Sequence, residues 1–296
     1  VTRGDTLALA SGATLRLEGV LAPDARDVVH EDGAHTEQIA QPWQPAEDAR
    51  KILSDLALGA RVRLTSTGPA RDRYGRRVAQ AFVMKADGTA VWLQGELLLR
   101  GAVRAAPLPD ARACMTEMLA HETVARTADI GVWSNPLYWV RGPADRRALV
   151  DLARQAPGSF HVIDGLVERV SGRAGTLSLT LGAAGTRGVT VRLKATDRAL
   201  LGAIGGDALA LEGARVRVRG WLDRLPGGAV IDLSAGGWLE VVVRPDHVAA
   251  PRAPASRRDR ARARLEEAAR EPNDVGPGDD TIAETKTPGF IEAGRP

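Results

Sequence analysis

The chain has 296 residues, 44% of them apolar, and a formal net charge of +3. That length suits two domains of ordinary size, and that apolar content suits packed cores, which excludes a mostly disordered protein. The single cysteine, Cys114, excludes an intrachain disulfide and a multi-cysteine zinc site, no apolar run is long enough for a membrane span, and the modest charge argues against a strongly basic coat for nucleic acid. Residues 1–142 are neutral overall, 143–245 carry +4 and 246–296 carry −1, so no domain is a strongly basic block. The 36 arginines against 4 lysines reflect a compositional bias and by themselves say little about partners.

Thr6 to Leu9 and Thr14 to Val20 alternate apolar with small or polar residues around Ala10 to Ala13, the pattern of a hairpin. Period two sends Leu15 and Leu17 to one face and Arg16 to the other. Residues 25–45 read as a polar loop. Its His30, Glu31, Asp32, His35 and Glu37 fit no standard ligand spacing, so a solvated loop is the ordinary reading and a substitute metal site the sharper one. Pro45, Glu47 and Asp48 open a helix that runs to Leu58 and stops at Gly59. Arg61 to Thr65 and Arg77 to Met84 read as strands joined by an arginine-rich turn, Arg71 to Arg76. Trp92 to Arg100 reads as a short helix ended by Gly101, and Pro109 or Asp110 to Ile130 as a longer one with Met115, Met118, Leu119, Glu122, Ala125 and Arg126 at helical spacing. Cys114 is expected within that helix as a core thiol.

Breakers at Asn135-Pro136 and Gly142-Pro143 mark a boundary. A helix over about 144–156 is followed by strand-like runs at 160–170, 176–181, 188–195, 215–225 and 229–243, with a helix at 197–204. Five strands with a helix between the third and fourth is the order of an oligonucleotide/oligosaccharide-binding (OB) barrel. Arg215, Arg217 and Arg219 alternate with Val216 and Val218 beside Trp221, which suits either a phosphate-and-base surface or an ordinary exposed face. From 246 onward charge blocks with proline and glycine predict a disordered tail. The expected organisation is α+β: a barrel with three helices over 1–142, an OB-like barrel over 143–245, and the tail 246–296.

The chemistry-bearing residues lie in the first half. Gly4-Asp5-Thr6, then Leu15-Arg16-Leu17-Glu18-Gly19-Val20-Leu21-Ala22-Pro23-Asp24, then Asp72-Arg73-Tyr74-Gly75-Arg76 offer separated carboxylates and arginines. Carboxylates can hold a hard cation or take a proton from water, and arginine forks match phosphate oxygens. In order and spacing these segments resemble the staphylococcal nuclease family, and the likeness runs on through Trp92-Leu93-Gln94-Gly95-Glu96, Glu122-Thr123-Val124-Ala125-Arg126 and Gly131-Val132-Trp133. It covers about the first 140 residues. The resemblance implies a nuclease-like OB barrel, Asp5 as a Ca²⁺ ligand, Arg16 and Arg76 on the phosphate, Asp24 in the place of the general base, and Arg73 and Tyr74 against substrate.

Three departures follow from the same comparison. Leu21 stands where the family has a second aspartate ligand, Asp24 where it has a glutamate, and Arg3 where an acidic residue is often found. The resemblance therefore implies two alternatives: a slow or altered phosphodiesterase, or a catalytically inactive protein that binds nucleic acid or serves as a scaffold. The family's barrel has a strand before the hairpin aspartate, so the expectation is a chain cut from a longer precursor, with secreted or periplasmic location.

Overall fold

The sequence pattern becomes short strands in the first half: β1 (Thr6–Ala8), β2 (Thr14–Leu17), β3 (Val20–Leu21), β4 (Val62–Thr65), β5 (Arg77–Met84), β6 (Ala90–Trp92) and β7 (Arg104–Ala105). The structure is a computed structural model that describes residues 1–27, 43–66, 68–109, 111–142, 146–182, 189–203, 205, 209–226 and 228–244. The loop from His30 to Glu37 and the charged tail lie outside the described residues.

Strands β1 and β2 pair antiparallel, with Thr6 opposite Arg16. Alternation buries Leu15 and Leu17 and leaves Arg16 on the other face, as period two requires. Strand β2 then runs parallel to the start of β5, Arg16 opposite Val78, while β4 and β6 pair β5 antiparallel. The order β1-β2-β5-β4, with β6 also on β5, leaves β1, β4 and β6 as edges among the described residues, and β3 pairs β7 apart from this sheet.

Three helices cover the sheet. Helix α1 (Gln44–Ala57) has proline in its first turn and buries Ala49, Leu53 and Ala57. Gly4 lies so close to it that a Cβ there would meet the Ala49 Cβ at 2.5 Å. Only glycine lets the turn carrying Asp5 sit against this helix. Helix α2 (Leu93–Leu99) is buried along most of its length, and α3 (Met115–Thr127) buries Met115, Met118, Leu119, Glu122 and Ala125. The methionine stripe is core packing. Helix α3 starts several residues later than Pro109 or Asp110, behind Cys114, whose φ of 59° is left-handed. Cys114 is therefore exposed ahead of the first turn and is not the core thiol its setting suggested.

In the second half, α4 (Arg146–Gln155) precedes β8 (Ser159–Arg173), β9 (Thr176–Leu181), β10 (Val189–Lys194), α5 (Arg198–Ala203), β11 (Arg215–Leu225), β12 (Gly228–Asp232) and β13 (Gly237–Val243). The pairings β8-β9-β10-β12-β11-β8 close a ring, with β10 and β12 parallel, so this is an OB-like barrel with its helix between the third and fourth strands. The run expected as one final strand is two. The Asp232 side chain accepts the Ser234 N–H at 2.9 Å and starts a tight turn, so that β12 pairs residues 222–225 of β11 and β13 pairs 215–220.

Residues 1–246 form one compact unit. A small apolar cluster of Ala106, Ala125, Val132, Trp133, Tyr138, Phe160 and Val162 joins the two barrels, and polar clamps cross the same seam. Arg219, 1% exposed, donates to Glu122 Oε2 (2.7 Å), the Ala105 carbonyl (3.1 Å) and Glu240 Oε2 (3.0 Å). Glu122 Oε1 in turn accepts the Ala105 N–H at 2.7 Å. Arg104 donates to the Phe160 carbonyl at 2.8 Å with its guanidinium over the rings of Tyr138 and Phe160. Arg112 reaches the Leu233 carbonyl and pairs with Asp197.

Candidate phosphate-binding site

The site begins in the turn from Arg3 to Thr6, closed by the Thr6 N–H on the Arg3 carbonyl at 3.2 Å. Asp5 is fully buried. Its Oδ1 accepts the Thr6 hydroxyl at 2.8 Å and its Oδ2 the Ala22 N–H at 3.2 Å, which pins the end of β3 to the turn. Arg3 Nε lies 3.6 Å from Oδ1 and Arg16 Nη2 3.6 Å from Oδ2. Arg16 also donates to the Val20 carbonyl at 3.0 Å, and its Nε is buried with no partner among the described residues. Burial pushes the Arg16 guanidinium down, Asp5 opposes that, and the charges of Arg76 and Arg3 add to it.

Asp24 follows β3 and is held hard. Its Oδ1 accepts the Arg26 backbone N–H and Nε, both at 3.0 Å, and its Oδ2 accepts Arg26 Nη2 at 2.9 Å and Arg3 Nη1 at 2.6 Å. Asp27 Oδ2 fixes the loop from below, accepting the Asp24 N–H at 3.0 Å and the Tyr138 hydroxyl at 2.9 Å. Burial alone would raise the Asp24 carboxyl, but the hydrogen bonds from Arg26, with the charges of Arg3 and Arg26, outweigh it and hold the group well below the usual carboxylate range. A carboxylate so stabilised in its charged form is a weak proton acceptor.

The turn between β4 and β5 supplies the remaining groups. Asp72 Oδ1 accepts the Tyr74 and Arg76 N–H groups at 2.9 and 3.0 Å, and its Oδ2 accepts Arg76 Nε at 2.7 Å. Gly75, at φ 75°, completes the reversal. Tyr74 stands 67% exposed, with Arg73 and Arg76 at 4.8 and 5.3 Å from its ring centroid. The charge of Arg76 acts on Arg16, and that of Tyr74 on Arg26. Arg3 links Asp5 to Asp24, and Arg16 reaches the other oxygen of Asp5. Arg3 and Arg26, the two residues that engage Asp24, were no part of the sequence-derived site. Arg3 was signalled only as a departure from the family pattern, and Arg26 only by its place two residues after Asp24.

The residues present do not fit a Ca²⁺ ion, which takes roughly six to eight oxygens. Leu21 packs against the apolar seam cluster and brings no oxygen, and both carboxylates already have arginine partners. Among the described residues there is no group of three or more histidine, cysteine, aspartate or glutamate side chains placed to hold a metal.

The arginine row of the second barrel is used internally. Arg219 is sealed in the seam, Arg217 makes a bidentate pair with Asp164 at 2.6 and 2.9 Å, and Arg215 leans on the same carboxylate at 3.5 Å. Trp221, 40% exposed, packs edge-on to Phe160. The face proposed for phosphates and bases is, at Arg217 and Arg219, already neutralised.

The first barrel sets Arg3, Arg16 and Arg26 against Asp5 and Asp24 and leaves Arg73 and Tyr74 exposed on a separate turn, and guanidinium forks of this kind can pair with anions. Residues 14–135 match the family described as staphylococcal nuclease homologue, so this part of the chain is a staphylococcal nuclease-like domain on an OB fold. The family is in general Ca²⁺-dependent. No curated protein matches the chain.

Proposed function

We propose that the nuclease-like barrel binds nucleic acid through its phosphates and cleaves it poorly or not at all. The observation that carries this reading is that both oxygens of Asp24 are taken by Arg3 and Arg26, which leaves the residue in the base position without a free acceptor. In this reading Arg16 and Arg76 contact a phosphate, Arg73 and Tyr74 receive a neighbouring nucleotide by charge and stacking, and Asp5 and Asp24 hold the pocket in shape. Arg26, whose side chain is 69% exposed, adds positive charge at the rim.

The second reading is slow hydrolysis by a water that Asp24 deprotonates after Arg26 swings away. The retained neighbourhood of Arg16, Arg76 and Asp24 favours it. A plasmid-nicking assay with and without Ca²⁺, run beside fluorescence polarisation of a labelled oligonucleotide, separates the two. The expected result is salt-sensitive binding with no metal-dependent nicking. Metal-dependent nicking that Asp24→Asn abolishes would replace the first reading by the second, and no binding of either DNA or RNA at low salt would end both.

A further inference from the structure

We propose that the guanidinium of Arg3 is the resident cation of this pocket, neutralising Asp5 and Asp24 where the family relies on Ca²⁺, so that a phosphoryl group is taken without any divalent metal. The clause on the phosphoryl group rests on the binding function proposed above; the clause on the cation does not.

A carboxylate with no exposure needs a partner charge, because an unpaired buried ion is costly. Asp5 has no exposure, and Arg3 spans it and Asp24, with Nε 3.6 Å from one and Nη1 2.6 Å from the other. A divalent ion bridging the same oxygens would have to displace this guanidinium, and it would sit beside Arg16 as well. Nothing among the described residues repays that displacement, since Leu21 offers only carbon to the ion. The turn closed by the Thr6 N–H keeps Arg3 two residues from Asp5, so its charge is tethered by the backbone and no chelator can remove it.

The test uses the full chain and two readouts that need no nucleic acid: calorimetric titration with Ca²⁺, and thermal melts in EDTA or Ca²⁺. The parent protein is expected to show no saturable Ca²⁺ binding and the same melting temperature in both buffers. Arg3→Gln is expected to melt lower than the parent in either buffer, because Asp5 then keeps only Arg16 and Asp24 only Arg26. Arg3→Lys keeps a charge and is expected to fold and stay insensitive to Ca²⁺. Saturable Ca²⁺ binding by the parent that Asp5→Asn removes would overturn the proposal, and that titration needs no variant of Arg3. An Arg3→Gln protein that melts at the parent's temperature would overturn it too. If the parent binds Ca²⁺ yet still binds oligonucleotide, only the resident-cation proposal falls. If it ignores Ca²⁺ and binds no oligonucleotide, only the binding function falls.

Discussion

The two barrels use arginine in opposite ways. In the first, Arg26 and Arg73 are exposed, each in its own loop, and Asp5 and Asp24 are met by Arg3, Arg16 and Arg26. In the second, a regular row of three is spent on Asp164, Glu122 and Glu240. The residue type and the period-two spacing do not distinguish them; what lies across from each strand face does. Arg219, sealed between two carboxylates, is structural, whereas Arg73, exposed in its own turn, can meet a ligand.

Several substitutions would break or sharpen that contrast. The largest effect is expected for Arg219→Ala, which strips a buried carboxylate of its partner and should cost about 3–5 kcal/mol in chemical denaturation. Because Glu122 is 1% exposed, water cannot take over the lost bonds. Leu21→Asp alone should destabilise by about 1–3 kcal/mol, since it sets a charge against the apolar seam, and should give no Ca²⁺-dependent nicking while Arg3 remains. Arg16→Ala or Arg76→Ala should each weaken oligonucleotide binding about tenfold or more, a charged hydrogen bond being worth about 1.5–3 kcal/mol. Arg217→Ala should leave affinity unchanged in the same polarisation assay, and a matching loss there would erase the distinction between the barrels.

A further effect, absent at neutral pH, grows as the solution is acidified. Burial, with the charges of Arg104 and Arg141, holds the His161 imidazole down to about 3. The unfolded chain, with an ordinary value of about 6.5, then binds the proton more readily than the native state. The stabilisation is complete above that ordinary value and is lost as pH falls toward the native one, by at most about 1.4 kcal/mol per pH unit. Denaturation midpoints of the parent and His161→Gln between pH 7 and 4 should converge as the solution is acidified. Parallel curves would show that the ring is not kept neutral by its surroundings.

Much of the first barrel was legible because its signals are local. Alternation placed Arg16 opposite Leu15 and Leu17, proline and acidic residues opened α1, and Asp72 to Arg76 closed a turn on themselves. The missed features are long-range. Glu122 and Arg219 are 97 positions apart, and no periodicity in either strand or helix announces their pairing. Strand spacing said that Arg215, Arg217 and Arg219 share a face but could not say that the first barrel and Glu240 of β13 would seal Arg219 while Arg215 stays exposed. Arg3 was visible only as a departure from the family pattern. Its bridging role needs the turn, β3 and the Asp24 loop folded together.

The seam around Arg219 also bears on how this chain can be taken apart. A truncation that stops at Gly142 would remove the guanidinium that satisfies Glu122 and the Phe160 carbonyl that anchors Arg104, leaving a charged hollow in what would otherwise pass for a transplantable nuclease cassette. Engineers and proteases alike should find that the front module does not travel alone.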